Sequence, residues 1–192
     1  HSNPVARRDH LREAHDLGVR LFVLDSPGEV AKLADAAPGA SVLVRIVTSG
    51  SGSDWPLSRK YGCSVEDAVA LLLDAAHLGL DPAGVSFHVG SQQRDPQAWG
   101  PPIRSAARVF EAVRAHGIRP WLLDLGGGFP AALEGGEVPS VSEFGAAIGA
   151  RLADAFGADR PRTLVEPGRG IVGDAGTVVT SVTGAKSVAT SY

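Results

Sequence analysis

The chain has 192 residues, 44% hydrophobic and 20% charged, with a formal net charge of -3 and a pI near 6.1. That is enough apolar chain for a globular core, and it argues against a disordered chain, a basic nucleic-acid binder or a helix of roughly 20 apolar residues spanning a membrane. The single cysteine, Cys63, has no partner for an internal disulfide, which fits a reducing cytoplasm, and with no nucleophile motif around it Cys63 reads as a small packed residue.

The opening Ser2-Asn3-Pro4 does not read as a secretory leader. Arg7 to Leu17 has a helical period, with Leu11, Ala14 and Leu17 on one face and Gly18 as its stop. Leu21 to Leu24 is a short apolar run suited to a buried strand, and a helix carrying Lys32 follows. Val42 to Val47 repeats the strand pattern. Thr48 to Ser58 is rich in serine and glycine, too polar for a strand, and is expected to be a mobile loop. Val65 to Leu78 is the next helix, with Ser64 and Asp67 placed to cap its start and Gly79 to end it. Val85 to Val89 is a third apolar strand. Gly100-Pro101-Pro102 breaks the helical pattern from Pro96 to Ala115, so a turn is expected there, with the helix restarting near Ile103. Trp121 to Leu125 and Thr163 to Glu166 complete the strands. Between them Ser140 and Glu143 form a second capping box ahead of a helix from Phe144 to Phe156, closed by Gly157. Thr177 to Val182 alternates in polarity and is expected to be a half-exposed strand opening a β-rich domain. Alternating strands and helices, with strands apolar on both faces, predict an α/β fold with a buried parallel sheet.

Three motifs fall where strands end. Polar groups at the C-terminal ends of parallel strands suggest a (β/α) barrel, whose last loops often hold a phosphate. Gly126-Gly127-Gly128 follows the second-last strand; without Cβ atoms its backbone can donate several N–H groups to an anion, or it is a turn that needs glycine only for shape. Arg169, in Glu166-Pro167-Gly168-Arg169, offers a guanidinium for bidentate phosphate binding, or a surface ion pair. Glu166 ends an apolar run and is expected to be largely buried. Its carboxylate then needs a cation, either a protonated ring nitrogen or a core arginine such as Arg45. His88, inside an apolar strand, is either a satisfied core residue or a flat face for a planar ligand, with Gly90 and Ser91 beside it for an anion. The remaining histidines form no metal-ligand cluster, and no metal is expected. The triple glycine lacks the G-x-G-x-x-G spacing of a Rossmann nucleotide site.

Ser86-Phe87-His88-Val89-Gly90-Ser91-Gln92, Leu123 to Pro130 and Val165 to Arg169, in this order and spacing, resemble the pyridoxal-phosphate (PLP) decarboxylases of the ornithine/diaminopimelate family, of fold type III. The likeness runs through Ser2-Asn3-Pro4, Val23 to Ser26, Val44-Arg45-Ile46 and Trp55 to Gly62. Trp55 to Lys60 and Ile171 to Gly176 look most like the bacterial ornithine/lysine branch. The resemblance implies a TIM-type (β/α)8 barrel of which this chain carries the last six strands over residues 1–172, with a C-terminal β-domain beginning at 173–192. It implies PLP as cofactor, with His88 stacked on the ring and Glu166 at the pyridine nitrogen, both catalytic. Ser91, Gly126, Gly127, Gly128, Pro167, Gly168 and Arg169 then form the phosphate cup, and Arg45 joins the cofactor-binding set. The implied reaction is decarboxylation of ornithine or lysine to the diamine, with diaminopimelate as the alternative substrate, by a cytoplasmic homodimer with no nucleic-acid or membrane partner. The family's cofactor-bearing lysine belongs to a strand upstream of residue 1. Lys32, Lys60 and Lys186 do not match it, so the resemblance implies a piece of a longer enzyme, or else a non-catalytic PLP-binding or regulatory homologue.

Overall fold

The computed structural model describes residues 1–58, 60–133 and 136–185. In chain order its elements are α1 (Arg8–Asp16), β1 (Leu21–Leu24), α2 (Pro27–Ala36), β2 (Ser41–Arg45), β3 (Ser53–Trp55), α3 (Val65–His77), β4 (Asp81–Ser86), β5 (Ser91–Gln93), a 3-10 turn (Pro96–Trp99), α4 (Gly100–Arg114), β6 (Leu122–Asp124), α5 (Val141–Phe156), β7 (Arg162–Leu164) and α6 (Gly168–Val172). The main sheet has five strands in the order β1-β2-β4-β6-β7, every neighbour parallel. His1 extends it at the free edge of β1. Its amino group donates to the Leu21 carbonyl at 2.7 Å, and its carbonyl accepts from the Val23 N–H at 3.0 Å. The sheet thus has five described strands, one fewer than the six expected, in the sequential order of a (β/α) barrel, with His1 hydrogen-bonded along its β1 edge.

The strands alternate between two apolar layers, as their period of two requires. Phe22, Leu24, Val42, Val44, Val85, Leu123 and Leu125 face the helices in one large core. Val23, Leu43, Ala83 and Leu122 form a smaller cluster on the opposite face, the inside of the barrel. That double burial explains why these strands read as nearly continuous apolar runs.

The helix caps act as their sequences direct. Ser64 Oγ accepts the Asp67 N–H at 3.0 Å, and Ser140 and Glu143 make a reciprocal capping box. Four expectations need correction. Leu17 does not join the buried face of α1: the helix ends at Asp16, and Leu17, as its C-cap, is exposed. α4 starts at Gly100 rather than near Ile103, because Pro101 and Pro102 lie in its first turn, where a missing N–H breaks no helical bond. The 48–58 segment is not all loop. β3 pairs antiparallel with β5, Ser53 opposite Gln93 and Trp55 opposite Ser91, a pairing carried by backbone rather than by an apolar pattern. Thr177 to Val182 finds no strand partner among the described residues and stands exposed. Lys186 lies outside the described residues. Among those residues no helix is long and apolar enough to cross a membrane.

Candidate active site

The loops leaving β4, β6 and β7 lie against one another at the C-terminal end of the sheet. The Glu166 N–H donates to the Gly126 carbonyl at 2.9 Å, and the Gln93 N–H donates to the Gly128 carbonyl at 2.9 Å. The glycines are needed for this approach. A Cβ on Gly127 would stand 2.8 Å from the Glu166 carbonyl oxygen and 2.9 Å from His88 Nε2, and one on Gly128 would stand 2.5 Å from the Gly90 carbonyl oxygen. The shape reading of the triple glycine is therefore correct as far as it goes. The N–H groups of Gly127 and Gly128 also donate to no acceptor among the described residues, so the same turn offers free donors at the mouth.

His88 is half-buried. Its Nδ1 accepts the Gly90 N–H at 3.0 Å, which leaves the proton of the neutral ring on Nε2, beside Gly127. Burial first, and then the Arg45 charge, push its pKa down to about 4, so the ring is neutral near pH 7. Thr48 Oγ1 donates to the His88 carbonyl at 2.6 Å and holds the loop in place.

Glu166 is half-buried, not largely buried as the apolar run before it suggested. β7 is the last strand of the sheet, and its outer side lacks the cover that the inner strands receive. No ion pair joins Glu166 to Arg45 among the described residues. The Arg45 guanidinium instead lies 5.4 Å from the centre of the Tyr61 ring, and burial lowers its pKa. Arg169, on α6, is exposed and lies over Trp55, with 5.0 Å between the guanidinium carbon and the ring centre. Ser91 opens β5 directly opposite Trp55. Pro167 and Gly168 lead into α6, which packs on the glycine loop: Cβ atoms on Gly170 and Gly173 would meet Phe129 and Ala131.

Three polar residues at this site were not singled out from the sequence. Asp124 is only 2% exposed; its Oδ1 accepts the Gly126 N–H at 2.9 Å, and its Oδ2 accepts from Ser86 Oγ at 3.2 Å. Burial raises its pKa to about 6, opposed by the Gly126 N–H and reinforced by Glu166. Its place between Leu123 and Leu125 was the available signal, since alternation turns it to the same inner face as Leu122. Gln92 and Gln93 are fully buried. The Gln92 amide pairs with both backbone groups of Ala131, accepting at 2.7 Å and donating at 3.0 Å, and Gln93 donates to the Ser51 carbonyl at 2.8 Å. Nothing in a polar dipeptide after a glycine announces such burial.

Cys63 sits at the rim between β2 and α3. Its N–H donates to the Arg45 carbonyl at 3.0 Å, and its thiol is directed at the same oxygen, 3.4 Å away. Burial pushes its pKa up to about 12, so it is a poor nucleophile. Of the lysines, Lys32 donates to the Ala6 carbonyl at 2.8 Å, and Lys60 lies 5.0 Å from the Tyr61 ring centre.

Residues 1–173 match the family model described as the pyridoxal-binding domain of pyridoxal-dependent decarboxylases. A lysine/ornithine decarboxylase of Selenomonas ruminantium is 38% identical over 189 residues, which cover 97% of this chain and 47% of the relative. A structure of lysine decarboxylase from the same organism superposes with a TM-score of 0.79 at 36% identity, over 89% of this chain and 44% of that one. A Paramecium bursaria Chlorella virus arginine decarboxylase superposes with a TM-score of 0.79 at 30% identity, over 88% of this chain and 45% of that one. The chain thus spans under half the length of these proteins. The parallel sheet order, the three converging loops and this match over nearly the whole chain place it in the pyridoxal-dependent decarboxylase family, as the greater part of a pyridoxal-binding (β/α) barrel.

Proposed function

We propose that the loops after β4, β6 and β7 form the PLP site of an enzyme that decarboxylates a basic L-amino acid, ornithine or lysine, to the diamine. The observation that carries this reading is the convergence of a neutral imidazole, two free backbone N–H groups, a half-buried carboxylate and a guanidinium at one mouth. These groups fit the cofactor. The neutral His88 ring suits stacking on a flat heterocycle, and Glu166 suits a protonated ring nitrogen. Gly126, Gly127, Gly128, Ser91, Arg169 and the backbone of Pro167 and Gly168 suit a phosphate, with Arg45 contributing positive charge from the inner face. Bound PLP supplies an electron sink for the electrons of the breaking Cα–carboxylate bond. His88 then keeps water from one ring face, Glu166 holds the nitrogen proton in place, and the glycine loop fixes the ring's tilt through the phosphate.

The match to lysine/ornithine decarboxylases supports the substrate class, and a cytoplasmic homodimer is proposed with it. The end of α6 at Val172 and of the family match at 173 support a barrel over 1–172 and a further domain from 173 on.

The test is PLP binding and CO₂ release from L-ornithine and L-lysine by the intact protein. Arg169→Ala is expected to weaken PLP retention more than it alters the thermal stability of the apoprotein. Glu166→Gln is expected to keep PLP yet slow turnover by about 100-fold or more. Unaltered cofactor affinity in the first, or near-normal turnover in the second, removes the role assigned to that residue.

A further inference from the structure

We infer that Trp55 is a positioning residue that presents the Arg169 fork to the cofactor's phosphate. The inference rests on the PLP reading of the site. Trp55 meets both candidate phosphate ligands on the strand side of the mouth. Its backbone is paired with Ser91, and the Arg169 guanidinium lies over its ring at 5.0 Å. The attraction of a guanidinium for a ring face calls on no oxygen acceptor, so Trp55 can hold Arg169 in place while its N–H donors stay available to a phosphate. A carboxylate partner would compete with the phosphate for those donors, and Arg169 has none among the described residues. The ring itself is 49% exposed, so it is not held there by core burial.

The surrounding backbone is built for this placement. Gly90 has φ +94°, and a Cβ there would overlap the Ser53 side chain and stand 3.1 Å from the Trp55 carbonyl oxygen. Gly50 has φ +64°, and a Cβ there would stand 2.5 Å from the Pro56 carbonyl oxygen. Glycine at 90 lets the strand carrying Trp55 lie tightly on the chain that leads into Ser91, and glycine at 50 lets the segment fold back on Pro56 around that strand.

Titrating the intact apoprotein with PLP, and with pyridoxal, which lacks the phosphate, reads this subsite without relying on turnover. Trp55→Ala is expected to weaken PLP binding about fivefold and to leave pyridoxal binding unchanged. Trp55→Phe, which keeps an aromatic face, is expected to retain most of the affinity. In an Arg169→Ala background, Trp55→Ala is expected to add nothing. Wild-type PLP affinity in Trp55→Ala, alongside weakened binding in Arg169→Ala, overturns the role of Trp55 and leaves the cofactor reading intact. So do additive losses in the double variant, or equal losses for PLP and pyridoxal, which mark a general structural role. If Arg169→Ala alone binds PLP normally, the phosphate assignment fails and the inference falls with it.

Discussion

His88 and Asp124 share one site and are shifted in opposite directions. His88 falls from an ordinary value of 6.5 to about 4, because burial penalises its charged form. The unfolded chain therefore gains this proton first as pH falls, and His88 withdraws stability between pH 6.5 and 4. Asp124 rises from 3.8 to about 6, again through burial, and the folded state keeps its proton longer as pH rises, so Asp124 withdraws stability between pH 3.8 and 6. The two slopes oppose each other in nearly the same window. His88→Asn is expected to show stability falling from about pH 4 to 6, Asp124→Asn to show it rising, and the parent to be flatter than either. Urea unfolding at several pH values checks this, and parallel profiles for the two variants would refute it. At this scale the sequence showed part of the site. His88, the glycines and Arg169 stood out because their types are unusual at strand ends. Asp124 and Gln92 did not, because their roles depend on groups 38 and 39 residues away that only folding brings near.

The Gln92 amide joins β5 to the loop after β6, taking the place of a strand neighbour for Ala131. Gln92 has φ 56°, a strained conformation for a residue with a side chain, and this amide pairing compensates for it. Gln92→Ala would leave the buried N–H of Ala131 unpaired, while its carbonyl still accepts the Leu133 N–H at 3.0 Å, and is expected to destabilise the protein by about 1–3 kcal/mol. Denaturant unfolding measures that; a loss below about 1 kcal/mol would mean water replaces the amide. The helices were legible because capping and period are local. Ser64, Ser140 and Glu143 each act within three residues of themselves. The β3–β5 ribbon was not, since its partners are about 40 residues apart and its pairing follows no apolar alternation that the sequence would show.

For the molecule as a whole, order along the chain becomes order in the sheet; alternation foretold the parallel sheet, and the polar groups at the strand ends, with the family resemblance, foretold the barrel. The edge strand departs from that regularity. Val165 beside β7, Ile171 and Val172 on α6, and Val178 and Val179 beyond it are all exposed. The isolated 192-residue chain is expected to self-associate through this surface, and Val165→Lys with Ile171→Lys to shift it toward monomer by light scattering. A parent chain that stays monomeric at high concentration would argue that the surface is innocuous. Cys63 bears on the same question of cohesion. It is the sole cysteine, its proton is held up to about 12, and its backbone ties the rim at Arg45 to α3. Partly buried and bordering a cavity with Asp25 and Asp67, Cys63 meets a disulfide reagent in the folded chain and reacts only through the small thiolate fraction its raised pKa allows. The protein therefore carries its own gauge of the rim: whatever fills that cavity or shifts the wall behind Arg45 changes the labelling rate of Cys63, with no probe added by design.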